Sequence, residues 1–174
     1  MESYSLCDKF KPSLPIKNRQ MEIKELNQNP AMDENDQLKE IYLQFEKLLT
    51  ELRKKALPDG LVVVINKDIE VLNSMVGSGG ELRRMVRKKQ TGIIKLLEKE
   101  VKLVPKNYYR NLWLTLGMAA FGIPIGAAFG ASLGNMAFLG VGLPIGMAVG
   151  MAHGTGMDKK ALAEGRQLDI EIKY

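Results

Sequence analysis

The sequence predicts an all-α protein, with amphipathic cytoplasmic helices followed by a two-helix transmembrane hairpin. Three observations carry that prediction. The first is a gap in the charge. The 174 residues include 25 Lys and Arg and 20 Asp and Glu, yet none of these lies among the 47 residues between Arg110 and Asp158. The second is glycine, since 11 of the chain's 17 fall in that run. The third is where the basic charge sits. Residues 81–110 carry 10 basic and 3 acidic side chains directly before the run, whereas residues 1–80 carry 11 and 13. A mean of 45% apolar and 26% charged residues suits an ordinary soluble protein. The segregation does not.

Residues 1–35, with Pro12, Pro15 and Pro30 among polar residues, read as a disordered N-terminal arm. No apolar signal-peptide core is expected in Met1–Gln20. Residues 36–105 read as a cytoplasmic helical region. Its first helix is expected from Asp36 to Ala56, where Leu38, Ile41, Tyr42, Phe45, Leu48, Leu49 and Leu52 fall on one face. Pro58 ends it. Residues 59–76 carry two signals. Leu61-Val62-Val63-Val64-Ile65 has strand propensity, whereas Leu61, Ile65, Ile69, Leu72 and Val76 share a helical face. Helix is preferred, because no partner strand is evident nearby. Gly77-Ser78-Gly79-Gly80 reads as a loop, lacking the Lys and Ser/Thr that would make it a phosphate loop. A basic juxtamembrane helix is then expected over 81–104, ending at Pro105.

The uncharged run has room for two spans of about 20 residues each. Leu112–Leu133 and Met136–Met157 fit, with Gly134-Asn135 as the turn. Tyr108, Tyr109 and Trp113 gather at the entry, as interfacial aromatics do. The hairpin thus covers 108–157. The tail, 158–174, alternates Leu168, Ile170, Ile172 and Tyr174 with polar residues, a short strand pattern. An unstructured end is the alternative.

Candidate packing residues come from an internal repeat. Phe121-Gly122-Ile123-Pro124-Ile125-Gly126 recurs twenty residues later as Val141-Gly142-Leu143-Pro144-Ile145-Gly146. Glycine then stands every fourth residue at Gly122, Gly126, Gly130 and Gly134, and again at Gly142, Gly146, Gly150 and Gly154. Such a row leaves a flat groove that lets helix backbones approach closely. Pro124 and Pro144 lie equally far from Gly134, so two matched kinks are expected at one depth, with Gly126 opposite Gly142 and Gly122 opposite Gly146. Candidate lipid-headgroup contacts are Arg83, Arg84, Arg87, Lys88, Lys89, Lys106, Arg110, Lys159 and Lys160. Basic residues flank both spans and none lies in the turn. The positive-inside rule then puts both termini in the cytoplasm, with the hairpin in the inner membrane.

No cofactor, metal or catalytic set is expected. Cys7 and His153 are the only residues of their kinds, too few for a Cys/His metal site or a nucleophile–base pair. His153 is either a hydrated interfacial residue or a pH sensor. Nucleic acid is not an expected partner, since the basic segment lacks interleaved aromatics.

The stretch from Asn107-Tyr108-Tyr109-Arg110-Asn111-Leu112-Trp113 to Met157-Asp158-Lys159-Lys160 resembles the uncharacterised bacterial glycine-zipper family of membrane proteins. That resemblance covers residues 107–160 and implies a membrane hairpin able to self-associate, with no enzymatic activity. The expected function is accordingly an integral membrane protein. Its hairpin anchors and forms a homo-oligomer, while the cytoplasmic helices bind a protein partner or anionic membrane lipid. The alternatives are an oligomeric pore or channel and a delivered pore-forming effector.

Overall fold

The computed structural model describes residues 21–27, 29, 32 and 35–173. Cys7 and most of the expected N-terminal arm lie outside the described residues, as does Tyr174. Helix dominates, with two short strands: α1 (Asp36–Arg53), α2 (Asp59–Asn73), α3 (Gly79–Val101), β1 (Val104–Lys106), α4 (Tyr108–Gly117), α5 (Ile123–Ser132), α6 (Leu139–Ala163) and β2 (Gln167–Glu171). A π turn over Met118–Gly122 joins α4 to α5, and a 3-10 turn over Met136–Phe138 precedes α6.

α1 through α3 form a layer whose core is built from the expected stripes, except that Val76 lies beyond the end of α2 and is exposed. All seven apolar residues of the α1 stripe are buried, and Leu61, Val62, Ile65, Ile69 and Leu72 of α2 join them. The ambiguous segment is therefore helix. Its β-branched residues are accommodated because packing outweighs a weak propensity. Asn35 caps α1, its side-chain oxygen accepting the Leu38 N–H at 3.0 Å. Ser78 and Glu81 form a reciprocal capping box at the start of α3, so Gly79 and Gly80 belong to the helix rather than to the loop.

Two expectations at the far end of α3 need correction. The helix stops at Val101, not Val104, where Lys102 adopts φ +57° and turns the chain. Val104–Lys106 is then a strand, with Val104 fully buried. Pro105 lacks an N–H but is tolerated in a two-stranded edge. The tail is a strand as well. β2 pairs with β1 in parallel, Val104 opposite Gln167 and Lys106 opposite Glu171 with a bulge between. Leu168, Ile170 and Ile172 are buried in the same core as α1–α3. Residues 21–27 also depart from the disordered arm: they run along α2, and Ile23 is 7% exposed.

Between the paired strands the chain runs out through α4, the π turn and α5, and returns along α6. Glycines of the two arms meet from Gly117 to Gly126 and from Gly142 to Gly150, and nearer the foot Gly154 meets the backbone of Tyr109 and Arg110.

Candidate functional site

The buried line of the hairpin is glycine. Gly117, Gly122, Gly126 and Gly130 are buried on the outgoing arm, and Gly142, Gly146, Gly150 and Gly154 on the returning one. A methyl group on Gly146 would lie 2.5 Å from the Gly117 carbonyl oxygen and 2.8 Å from the Gly122 Cα. One on Gly142 would lie 2.7 Å from the Gly126 Cα, and one on Gly154 2.6 Å from the Arg110 Cα. These are approaches that real Cβ atoms do not make, so the helices touch backbone to backbone. The expected oppositions of Gly126 with Gly142 and Gly122 with Gly146 are both present. The large side chains point outward: Phe121, Ile123, Phe129, Val141 and Val149 are all between 46% and 52% exposed.

Two parts of the glycine reading change. Gly134 is not a packing residue, since nothing lies within 4 Å of where its Cβ would stand. Its φ of +64° and the Asn135 N–H bond to the Gly130 carbonyl at 3.0 Å make it the left-handed residue ending α5. Gly117, outside the expected ladder, takes a packing place instead. Five residues separate it from Gly122, which in an α-helix would swing it about 140° off the shared face. The π turn absorbs the extra residue, with the Ile123 N–H bonding back five residues to the Met118 carbonyl. Pro124, the residue after that donor, has no N–H to give to the preceding turn. Pro144 lies inside α6, which continues as α-helix through it. Pro124 and Pro144 therefore sit in unlike settings, one beside a π turn at the start of α5 and the other within continuous α-helix.

At the foot of the hairpin the two arms are tied by Asp158, which is 7% exposed. Its carboxylate accepts the Tyr109 N–H at 3.1 Å and the Arg110 N–H at 2.9 Å. Asn107, the residue before α4, has φ +58° and caps nothing with its side chain. A carboxylate on α6 thus supplies the cap that α4 lacks, charge against the positive helix end. Around it the Tyr109 hydroxyl donates to Glu98 at 3.2 Å, and the Trp113 indole N–H meets the Met157 sulfur at 3.1 Å. His153 lies edge-on to Trp113 with ring centres 4.3 Å apart. After α6, Gly165 at φ +68° permits the Arg166 N–H to reach the Ala161 carbonyl at 2.9 Å, the left-handed stop that sends β2 back into the core.

The nine basic candidates split into two groups. Lys106 pairs with Asp169, Arg110 approaches Glu171 at 3.8 Å, and Lys160 reaches Glu164 at 4.0 Å, so these stand with exposed Lys159 at the foot. The hydrogen bond to Asp169 raises Lys106 above its usual pKa and holds the Asp169 carboxyl below its own. Arg83, Arg84, Arg87 and Lys88 lie on the far half of α3. Seventeen residues of helix separate Arg84 from Val101, about 25 Å along the axis. Arg83 bonds Gln37, and Lys89 pairs with Asp68 at 2.6 Å. The apolar stripe of α3 is buried within the helical layer, leaving only its charged faces for any lipid.

Asp158 and Gly117 were missed from the sequence. A signal for Asp158 was present: paired hairpin residues sum to about 268 in the expected register, which sets it opposite the start of α4. Nothing in a straight-helix reading marks Gly117.

Among the described residues one helix, the 25-residue stretch Tyr108–Ser132, is long and apolar enough to cross a membrane. α6, expected as the second span, is equally long, but its glycines and His153 lower its apolarity. No group of three or more His, Cys, Asp and Glu that could hold a metal occurs among the described residues. In comparisons with protein families, curated proteins and solved structures, nothing matches this chain.

Proposed function

We propose that the protein is a non-enzymatic membrane-anchored interaction protein, in which the α4–α6 hairpin crosses the bilayer and α1–α3 with the paired strands form a domain in the cytoplasm. One observation carries this reading. The hairpin buries glycine and exposes Phe, Ile, Leu and Val around its outside. A continuous apolar surface of that length is costly in water and costs nothing in hydrocarbon. The outgoing arm of 25 residues spans about 37 Å, against about 30 Å for a hydrocarbon core. Lys106, Arg110, Lys159 and Lys160 would then meet headgroups at the foot, and the uncharged tip at Gly134-Asn135 would emerge on the other side.

The experiment is flotation of the full chain reconstituted into dye-loaded liposomes. An anchor floats with the vesicles through a high-salt wash and keeps the dye inside. A protein that stays at the bottom of the gradient contradicts the reading, and dye release replaces the anchor with a pore.

A second observation favours self-association through the outer face of α6. Gly140, Pro144, Ala148, Ala152 and Gly156 repeat every fourth residue, and all are exposed. Nothing lies within 4 Å of where a Cβ would stand at Gly140 or Gly156. This second row of small residues suits close approach of another hairpin. Ala148→Leu should reduce crosslinking between copies in liposomes while leaving flotation intact.

A further inference from the structure

The segment 21–27 is held in an unusual way. Asn66 on α2 grips its main chain with both ends of its amide: Nδ2 donates to the Glu22 carbonyl at 2.9 Å, and Oδ1 accepts the Lys24 N–H at 2.8 Å. Asn73 repeats the grip on the Glu25 carbonyl at 3.0 Å and the Asn27 N–H at 2.8 Å. The two asparagines are seven residues apart on one helix face, a rise of about 10.5 Å. Three residues of extended chain cover about 10 Å. Helix and strap therefore run in step. Arg53 of α1 adds two more main-chain bonds, to the Ile23 carbonyl at 3.2 Å and the Lys24 carbonyl at 2.8 Å.

Every one of these bonds reads backbone, so none depends on which residues fill the strap. Side-chain selection is confined to three places. Ile23 is buried, Leu26 is partly buried three residues on, and Lys24 pairs with Glu70. Main-chain bonds for affinity with a few alternating pockets for specificity is how extended peptides are recognised. The strap also buries little apolar surface. Ile23 is its one buried residue among 21–27, and an open cleft of about 680 Å³ lies beside it, lined by Leu52, Leu57 and Val62.

We propose that Asn66, Asn73 and Arg53 form a groove for an extended peptide of a protein partner, with the pattern apolar–Lys–any–apolar, and that residues 22–27 occupy it in cis until displaced. The seated segment itself, Ile23-Lys24-Glu25-Leu26, defines the ligand chemistry. This deepens the reading of the helical domain as an interaction module. It is tested in detergent micelles, so its failure is separate from any failure to float with liposomes.

The test is fluorescence anisotropy of a labelled peptide of sequence Met-Glu-Ile-Lys-Glu-Leu-Asn, titrated with the full chain. The native strap should compete, giving weak binding. Ile23→Asp with Leu26→Asp in the chain should free the groove and tighten binding at least tenfold. Adding Asn66→Ala and Asn73→Ala should abolish it. A strap variant that keeps its helical circular dichroism but binds no tighter overturns the proposal, as does binding that survives loss of both asparagines. Should the strap variant unfold, amide exchange on the native chain decides. Lys24 and Asn27 amides exchanging at least a hundredfold faster than those of Ile65 and Ile69 support a displaceable strap, and equal rates overturn it. Carbodiimide crosslinks joining Lys24 of one copy to Glu70 of another, in an isotopically mixed sample, would make the occupant a second copy and overturn the assignment to a different protein.

Discussion

Phe45 in α1 is fully buried, whereas Phe121 and Phe129 in the hairpin are 46% and 47% exposed. The contrast runs through the two regions. The helical domain buries Leu, Ile, Val and Phe, and its Lys and Arg face outward. The hairpin buries glycine and turns its large apolar residues out. On the proposed membrane placement, one chain applies a single rule, bury what the surroundings reject, in two surroundings. In water the rejected groups are apolar side chains. In lipid nothing apolar is rejected, so packing is won by bringing backbones together. Asp158 and the β1–β2 pair sit where the two regimes meet, and they tie both arms of the hairpin to the domain.

The comparison can be broken most forcefully in the two cores. Phe45→Ala should destabilise the domain by about 3–5 kcal/mol, the usual cost of emptying a buried aromatic site. Phe129→Ala should stay within about 0.5 kcal/mol, as exposed substitutions do. Thermal melting in micelles measures both, and equal losses would erase the distinction. The reverse change sharpens it. Gly146→Leu forces a side chain into the Gly117 and Gly122 backbones, and overpacking of this kind costs about 1–3 kcal/mol or more. Spin labels on the outer faces of α5 and α6 should report wider separation, and an unchanged distance would contradict a backbone-contact seam.

Smaller effects are expected at the foot. Asp158→Ala removes the cap on α4 and should cost about 1–2 kcal/mol, read as faster amide exchange at Tyr109 and Arg110. The smallest effect is the pH response of the exposed Lys106–Asp169 pair. Asp169 is depressed, so its contribution is present above the unfolded carboxyl pKa near 3.9 and fades as pH falls through the lower folded value. Lys106 is raised, so its contribution is complete below about 10.4 and fades as pH rises through the higher folded value. Stability from this pair should therefore be flat through neutral pH and decline slightly at both extremes, an effect that Lys106→Met removes.

The helical layer was legible because amphipathic stripes report burial directly: every residue of the α1 stripe faces the core. The hairpin register was legible for a different reason. Repeated glycines and a turn at Gly134-Asn135 fix which residues stand opposite. What escaped reading depends on local departures from the ideal helix or on contacts distant in sequence. The π turn moves Gly117 into the seam, and periodicity alone does not reveal a change of period. β1 is three residues long and has meaning only beside β2, more than sixty residues away. The Asn66 and Asn73 grips look like ordinary exposed polar positions on α2 until the strap is laid across them. The basic residues of α3 read as a juxtamembrane group because sequence shows their nearness to the hairpin but not the 23-residue helix that carries Arg83 and Arg84 away from it.

The central claim is that the outside of the hairpin faces lipid, and cysteine labelling tests it most directly. Single cysteines would be placed at Phe129, Ile145 and Asn135, in a chain with Cys7→Ser, in native membranes. The account expects the first two to resist a membrane-impermeant maleimide until detergent is added, and Asn135→Cys at the tip to react from the side opposite the helical domain. Rapid labelling of Phe129→Cys and Ile145→Cys in intact membranes would show those faces in water and contradict it.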